Sequence, residues 1–198
     1  MFAYSGHMGK LISLFAILVI GALLAFAGCQ ASRSGYKSAP YVIVRSEGDF
    51  ELRDYPELML AETTMKDEGS GGSFNRLFRF ITGGNREKQK ISMTTPVFMS
   101  GSQPDDTMAF VMPANVGKVP QPTDGSVTVR GVPAGRFAVL RFSGSRSPAQ
   151  ESEHLEKLKA WMTAHGLGSE SAPVYAYFDP PWTPPMLRRN EVMLRVAR

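Results

Sequence analysis

The order of apolar and polar residues along the chain predicts mainly β-strands. Residues 50–55, Phe-Glu-Leu-Arg-Asp-Tyr, alternate between the two classes, which is the period of a strand with one buried face. Runs rich in β-branched and aromatic residues predict further strands at 41–44, 58–64, 91–99, 108–112, 126–130, 136–142, 174–178 and 191–196. The pattern therefore indicates about nine strands, some of them one strand interrupted by a bulge.

A helical period predicts a first helix over residues 74–82. Ser73 is its expected N-cap, and the glycines at 83–84 are its expected stop. One apolar stripe runs along this helix, and we expect it to face the core; its members are Phe74, Leu77, Phe78 and Ile81. The glycine-rich segment 69–73 before it is interpreted as a flexible turn, since it lacks the lysine of a phosphate-binding loop.

A second helix is predicted from Pro148 to about His165. Ser147 and Gln150 have the spacing of a capping box, and Pro148 occupies the first helical position. The apolar stripe of this helix consists of Leu155, Leu158 and Met162, and Gly166 ends it.

Two segments of the chain repeat each other. Residues 50–56 read apolar, polar, apolar, Arg, any residue, apolar, Pro, and residues 127–133 read the same. Each is followed by a strand, a capped helix and further strands, which favours a duplicated βαβ-type unit over a chance match. Two such units predict an α+β fold, with one antiparallel sheet and two helices on the same face.

The N-terminus has the pattern of a secretory signal. Residues 11–26 are uncharged, Lys10 precedes them, and the small pair Ala27-Gly28 leads to Cys29, the single cysteine of the chain. The segment resembles a bacterial lipoprotein signal, in which such a cysteine is acylated after cleavage; an uncleaved anchor or a different cleavage site are the alternatives. We therefore predict a signal peptide at 1–28, the lipidated Cys29 and a tether at 29–40, and one domain at 41–198.

Composition and charge exclude several function classes. The formal net charge of +4 falls to +3 without Lys10, which is too weak for a nucleic-acid-binding surface. Three histidines without metal-ligand spacing do not predict a metal cage. Because the motifs of nucleophile elbows, P-loops and dinucleotide-binding turns are missing from the sequence, we expect no enzymatic activity.

Several motifs together resemble the SOUL/haem-binding protein family. Residues 74–85 are similar to its helix-and-turn signature, and 90–97, Lys-Ile-Ser-Met-Thr-Thr-Pro-Val, to its K-I-x-M-T-x-P-V motif. Residues 177–181 and 188–192 resemble its Y-x-x-P-P and R-x-N-E-V elements. The order and spacing agree over residues 41–196. Phe80 stands where members of the family commonly carry Tyr.

The resemblance implies a distorted antiparallel barrel of about eight strands with two main helices, built from two similar halves. It also implies that haem or a related tetrapyrrole binds in a shallow groove along the first helix. Haem affinity varies within the family, so this cofactor is not obligatory. The predicted contact residues are Arg76, Leu77, Arg79, Phe80, Lys88, Lys90, Met186, Arg188 and Arg189.

Physical roles for these residues follow from the needs of a haem site. Phe80 lies off the apolar stripe and is the expected ligand-facing aromatic residue, while the cations would pair with the propionates. Each cation alone is also compatible with an ordinary solvated surface. His154 and His165 are weak candidates for the haem iron, because both lie on the second helix. Glu191 is expected to orient Arg188 through a salt bridge.

These observations favour a tethered, non-enzymatic carrier or buffer of tetrapyrroles in the cell envelope. We expect a monomer that meets a small-molecule tetrapyrrole and, through its lipidated N-terminus, a membrane, but no nucleic acid. Gln30 after the cysteine would direct the protein to the periplasmic side of the outer membrane in a diderm bacterium. The alternatives are a binder of another apolar ligand on the same fold and an envelope protein-interaction module.

Overall fold

The computed structural model describes residues 35–66, 69–100 and 106–197, so the predicted signal segment and Cys29 lie outside it. Helix α1 covers Gly69–Ile81 and helix α2 covers Pro148–Ala164. The strands are β1 Lys37–Ser38, β2 Val42–Glu47, β3 Phe50–Tyr55, β4 Leu58–Thr64, β5 Thr94–Thr95, β6 Val97–Ser100, β7 Thr107–Val111, β8 Thr128–Val132, β9 Gly135–Phe142, β10 Val174–Tyr177 and β11 Asn190–Arg195. A short 3-10 turn covers Pro185–Leu187. Neither helix of this described part has the length and apolar character needed to cross a membrane.

Nine of the strands form one sheet whose order is a near-palindrome. The order is β2-β3-β9-β11-β10-β6-β7-β4-β8, and all neighbours in it are antiparallel. Without β2, the order has two matching halves. Read inwards from one end it is β3, β9, β11 and β10, and read inwards from the other end it is β8, β4, β7 and β6, their equivalents in the repeat. The two halves, β3-β4-α1-β6-β7 and β8-β9-α2-β10-β11, are therefore related by a pseudo-twofold axis between β6 and β10, as the repeat predicts.

Both helices pack on the same face of the sheet, which we call the helix face. Met99 of β6 lies opposite Tyr175 of β10 in register, so both side chains leave the sheet on one face. Met99 packs against the core under α1, and Tyr175 packs against the core under α2. The predicted placement of two helices on one face is confirmed.

The sheet is open, so the predicted distorted barrel is wrong in its closure. Strands β2 and β8 form its two edges. Closure would require the two edge strands to pair with each other, but β2 pairs with β3 alone and β8 with β4 alone. The fold is a strongly curved, twisted sheet with a second core on the face opposite the helices.

The folded part begins before the predicted domain boundary. Strand β1 pairs in parallel with β5, and the Ala39 amide donates to the Thr95 carbonyl oxygen at 2.9 Å. Ala39 is buried in the core of the opposite face. Residues 37–39, placed in the tether by sequence, therefore belong to the fold.

The ends of the helices differ in part from the predictions. α1 starts at Gly69, so the glycine-rich segment is its first turn and not a flexible turn. Its C-terminus is as expected: Gly83 has φ 108°, and the Gly84 amide bonds to the Arg79 carbonyl at 2.8 Å. In α2 the Ser147 hydroxyl accepts from the Gln150 amide at 3.3 Å, but the buried Gln150 Oε1 has no hydrogen-bond partner. Only half of the capping box forms.

A buried ionic cluster lies on the opposite face. Arg53 and Glu191 are both fully buried and form two hydrogen bonds, Nη1 to Oε2 at 2.7 Å and Nη2 to Oε1 at 3.0 Å. Arg53 Nε donates to Glu51 at 2.6 Å, and Arg189 Nη2 donates to Glu191 at 2.6 Å. Glu191 thus pairs with Arg53 and Arg189, and the prediction that it orients Arg188 is wrong.

The Arg53 guanidinium stays charged despite its burial. Desolvation acts to lower the pKa of Arg53, but the hydrogen bonds and charge of Glu191 outweigh it and raise that pKa above its usual value. The ring of Tyr41 covers the guanidinium at 4.3 Å. The cluster therefore links β3 to β11 across β9 by ion pairs in which each buried charge is stabilised by its partner.

Replacing Glu191 with Ala should lower the free energy of unfolding by about 3–5 kcal/mol, because it leaves Arg53 buried and unpaired. Asp54→Ala is the matched control. It removes the pair between Arg136 and Asp54, whose side chains are 47% and 46% exposed, so the free energy should change far less. Urea unfolding followed by circular dichroism measures both. Equal losses in the two variants would contradict this account of the cluster.

Candidate functional site

α1 presents a different set of side chains to solvent than its sequence pattern predicts. Leu77, Phe80 and Ile81 are buried, whereas Phe74 and Phe78 are 37% and 45% exposed. Phe80 is only 2% exposed, so its ring does not face solvent on α1, and its contact with a ligand stays a prediction. Leu77 is fully buried in the core under the helix, and its predicted contact with a ligand likewise stays a prediction.

Contacts with β4 explain this rotation of α1. Ser73 is buried, and its hydroxyl donates to the Thr64 carbonyl oxygen at 2.9 Å. Arg76 donates from Nε to the Thr63 hydroxyl at 3.0 Å. These bonds turn the Ser73 and Arg76 side of the helix towards β4 and leave Phe74 and Phe78 on the flank towards β7.

The two exposed phenyl rings form a flat apolar surface on α1. The centroids of Phe74 and Phe78 are 5.9 Å apart with an interplanar angle of 14°. Phe74 also meets the edge of the buried Phe110 ring of β7 at 5.2 Å, which holds it in place. Stacked aromatic rings that remain exposed are suited to a planar apolar ligand.

The two helices leave an open space between them above the centre of the sheet. α1 packs on β4 and β7, and α2 packs on β9 and β11, so β10 and β6 separate the helices. Four strand spacings of about 4.8 Å place the helix axes ~19 Å apart. Helices in direct contact are about 8–10 Å apart. The remaining gap, which we call the inter-helix trough, is wide enough for a flat ligand.

The floor of the trough is apolar and half-buried. Its side chains come from the helix face of the central strands and are Val97, Met99, Tyr175 and Tyr177. Phe74 and Phe78 form its wall on the α1 side. Aromatic and thioether groups around a slot of this kind can pack against a macrocycle, and Met99 provides a soft sulfur atom.

One end of the trough carries a hydrogen-bonded polar group. The Tyr177 hydroxyl makes a short hydrogen bond to Glu151 Oε1 on α2, and Arg146 Nε donates to the same oxygen at 3.0 Å. Burial and this carboxylate raise the pKa of Tyr177 well above its usual value. The phenol therefore stays protonated, and Arg146, 5.8 Å from the Tyr177 ring, is a cation at the edge of the trough.

The predicted cations of α1 lie on the other flank of that helix. Arg76, Arg79 and Phe80 meet at a cavity of about 30 Å³ beside residues 122–127. That volume holds little more than one water molecule. Lys88 and Lys90 are exposed after the helix. The structure thus brings Arg76, Arg79 and Phe80 together, but at a site too small for a tetrapyrrole; binding by Arg79, Lys88 and Lys90 stays a prediction.

Three of the predicted contact residues come from the C-terminal loop: Met186, Arg188 and Arg189. They do not form one site with the cations of α1. Arg189 lies on the opposite face of the sheet, where it bonds to Glu191 and Tyr41. Arg188 donates to the carbonyl oxygens of Thr183 and Pro181 within its own loop. The expectation that both arginines lie beside one groove along α1 is therefore wrong for Arg189. Met186 is 71% exposed on the same loop.

The two predicted histidine ligands both have structural partners. His154 Nδ1 lies 2.7 Å from the Gln150 carbonyl oxygen, and its ring stacks on Phe142. His165 Nδ1 lies 2.8 Å from the Trp161 carbonyl oxygen, and its Nε2 lies 3.2 Å from Glu47 of β2. Among the described residues, no three His, Cys, Asp or Glu side chains group as metal ligands.

A second space lies on the opposite face of the sheet. It is a cavity of about 190 Å³ with mostly apolar walls from both halves of the fold. Five pairs of lining residues occupy equivalent positions about the pseudo-twofold axis: Tyr55 and Val132, Pro56 and Pro133, Leu60 and Phe137, Phe98 and Val174, and Ala109 and Met193. The cavity therefore lies on the pseudo-twofold axis, behind the floor of the trough.

Polar groups mark the rim of this cavity. Arg130 pairs with Glu62, with Nε and Oε2 at 2.7 Å, and Arg195 pairs with Glu170, with Nε and Oε1 at 2.9 Å. Burial raises the pKa of Tyr55 to about 12, so its hydroxyl is neutral at physiological pH. A neutral apolar molecule suits this combination of apolar walls and paired charges.

Solved structures share the fold at low sequence identity. The crystal structure of the EcmrR C-terminal domain matches with a TM-score of 0.57 and 12% identity, covering 75% of this chain and 97% of that chain. EcmrR in a cryo-EM complex with DNA matches with a TM-score of 0.58 and 13% identity, covering 97% and 69%. A hydrolase from Listeria innocua matches with a TM-score of 0.56 and 13% identity, covering 78% and 94%. At these identities the similarities concern the fold alone.

The sequence comparisons identify the family. No curated protein matches the chain. The model of the family described as SOUL heme-binding protein matches residues 36–195, which is nearly all of the folded part. The match includes α1, the Lys90–Val97 segment and the strands that form the trough. The chain therefore belongs to the SOUL haem-binding protein family.

Proposed function

We propose that the protein is a non-enzymatic, envelope-tethered module that binds haem or a related tetrapyrrole in the inter-helix trough. The observation that carries this proposal is the stacked, exposed pair Phe74 and Phe78 beside the half-buried floor of Met99 and Tyr175. Family membership supports the ligand class. The width of the trough supports a flat ligand better than the two smaller cavities do.

Binding in the trough would depend mainly on apolar contact. The phenyl rings of Phe74 and Phe78 offer one wall, and the floor offers aliphatic, thioether and aromatic groups. Arg146 could pair with one propionate by exchanging its bond to Glu151. The Tyr177 hydroxyl, held protonated, would donate rather than coordinate iron as a phenolate. Haem would supply the redox chemistry when bound, and the chain would orient it and limit its contact with water.

The N-terminal segment would place this module at the cell envelope. The uncharged run at 11–26 followed by Ala27, Gly28 and Cys29 supports lipidation after cleavage. Gln30 supports the outer membrane as the destination if the source is a diderm bacterium. A carrier or buffer role fits a binding domain held close to a membrane by a short tether.

The cavity on the opposite face favours a second candidate function. Its volume of about 190 Å³ is below the ~300–1,000 Å³ of pockets that enclose drug-sized ligands, but a cavity of about 150 Å³ accommodates benzene. The protein would then bind a neutral molecule of one or two rings. This second function is independent of haem, because the sheet separates the two spaces.

For the trough, replacing Phe74 and Phe78 together with Ala should raise the dissociation constant of hemin about thirtyfold. The loss corresponds to ~2 kcal/mol of apolar contact from two partly exposed rings. A titration of the purified protein that follows the Soret band measures it. The melting temperature of this double variant, compared with that of the wild-type protein, shows whether the variant remains folded.

The control for this titration replaces His154 and His165 together with Ala, which should leave hemin affinity nearly unchanged. Both side chains lie on the α2 flank that contacts β2 and β9 and not on the trough. Loss of the Soret shift in the histidine variant, together with its retention in the phenylalanine variant, would put the site on α2 and reject the trough.

For the tether, Cys29→Ser should move the protein from the detergent phase to the aqueous phase in a phase-partitioning experiment. Acylation needs the thiol, and a hydroxyl cannot replace it. Unchanged partitioning would show that the N-terminal segment acts as an uncleaved anchor, which mass spectrometry of the mature N-terminus would detect.

For the cavity, indole should bind the protein, and Ala109→Leu should abolish that binding by filling the space. Ala109 lines the cavity and is 4% exposed. Ligand-observed NMR measures the binding, and Val132→Phe is a second filling variant in case the first is overpacked. Met99→Leu on the helix face is the control and should leave indole binding intact. Indole binding to both filled variants would reject the cavity as a ligand site.

A further inference from the structure

The loop of residues 179–189, here the Trp182 loop, exposes two large apolar side chains. Trp182 is 80% exposed and Met186 is 71% exposed. Both lie on the turn between β10 and β11, and neither lines the cavity of the opposite face. Exposing a large apolar side chain such as tryptophan to water is unfavourable in free energy. Such residues often mark a contact with an apolar or interfacial environment.

The loop is held in this exposed arrangement by its own hydrogen bonds. Arg188 Nε donates to the Thr183 carbonyl at 2.7 Å, and its Nη2 donates to the Pro181 carbonyl at 2.5 Å. Thr183 is buried, and its amide donates to the Pro180 carbonyl at 3.0 Å. The Gly144 amide fixes the far side of the loop through the Pro185 carbonyl at 2.9 Å. A loop braced in this way presents Trp182 and Met186 outward at little further entropic cost on binding.

The root of this loop lies beside the start of the folded chain. Arg189 Nη2 donates to the Tyr41 hydroxyl at 3.1 Å. Ala39 and Phe178 share one core cluster, so the first described residues pass next to the strand end from which the loop leaves. The described chain thus begins on the side of the domain that carries the Trp182 loop.

The length of the preceding segment limits how far this side can be from a bilayer. Six residues lie between Cys29 and Tyr36, and the seven Cα–Cα steps across them span at most about 25 Å when fully extended. A folded domain of this length is ~40 Å across. Attachment through Cys29 would therefore keep the surface around Tyr36 and the Trp182 loop closer to the lipid than the rest of the domain.

We propose that the Trp182 loop is a bilayer contact, in which Trp182 and Met186 insert at the lipid–water interface. Tryptophan prefers this interface because its ring is apolar and its N–H is polar. The contact would orient the domain on the membrane to which it is tethered. The proposal rests on the envelope tether proposed above, and it assigns Met186 to lipid and not to haem.

The test uses the full chain, reconstituted in phosphatidylcholine–phosphatidylglycerol vesicles whose acyl chains are brominated, because bromine quenches tryptophan only at close range. The chain contains two tryptophans, so Trp161→Phe reports on Trp182 alone and Trp182→Phe reports on Trp161 alone. Trp161 is half-buried, stacks on Phe50 and donates to Glu47. Trp161→Phe should lose roughly half or more of its emission relative to unbrominated vesicles, and Trp182→Phe should lose little.

Full emission from Trp161→Phe in vesicles that carry the protein on flotation would overturn the loop contact while leaving the tether intact. Equal quenching of both single-tryptophan variants would also overturn it, because the loop would not be the preferred contact. Failure of the wild-type protein to float would reject the tether, and with it the loop contact that rests on the tether. Circular dichroism of both variants confirms that they are folded.

Discussion

Antiparallel pairing of β6 with β10 joins the two halves of the sheet, and both ligand spaces of the molecule depend on it. Met99 lies opposite Tyr175 in this pairing, and Phe98 lies opposite Ala176. Because successive side chains leave a strand on opposite faces, the first pair forms the trough floor and the second lies in the core of the opposite face. A shift of one residue in this register would exchange the two faces.

The duplication explains why the centre of the helix face stays open. Each helix covers the two strands of its own half that flank it, and the pseudo-twofold axis passes through the remaining pair. The gap is therefore a consequence of the repeat, and each half supplies one wall. The halves have diverged in the charges they carry: Arg53 and Arg130 are equivalent in register, yet Arg53 is fully buried with Glu191 whereas Arg130 is half-exposed beside Glu62.

Much of the fold follows from local sequence pattern, whereas the site does not. The alternation in residues 50–55 and the cap at Ser147 identify elements because their physical cause is local. The orientation of α1 is not local: Phe74 and Phe78 continue the apolar stripe of Leu77 and Ile81, and only the packing of Ser73 on β4 shows that they face outward. Likewise, the alternation of residues 50–55 predicts that the polar Arg53 faces solvent. Arg53 is instead buried, because the sheet curves over a second core on that face. An aromatic pair four residues apart at the edge of a stripe is the signal that would have indicated the trough wall.

The central claim is that a tetrapyrrole lies between the helices, and paramagnetic NMR tests it most directly. Spectra of the protein with hemin are compared with spectra of its complex with zinc protoporphyrin, which has the same shape without unpaired electrons. The account predicts that hemin broadens the signals of Phe74, Phe78 and Met99 most, with smaller effects on Leu60, Phe137 and Met193 across the sheet. Strongest broadening at those three residues of the opposite-face cavity, or at His154 and His165, would contradict it.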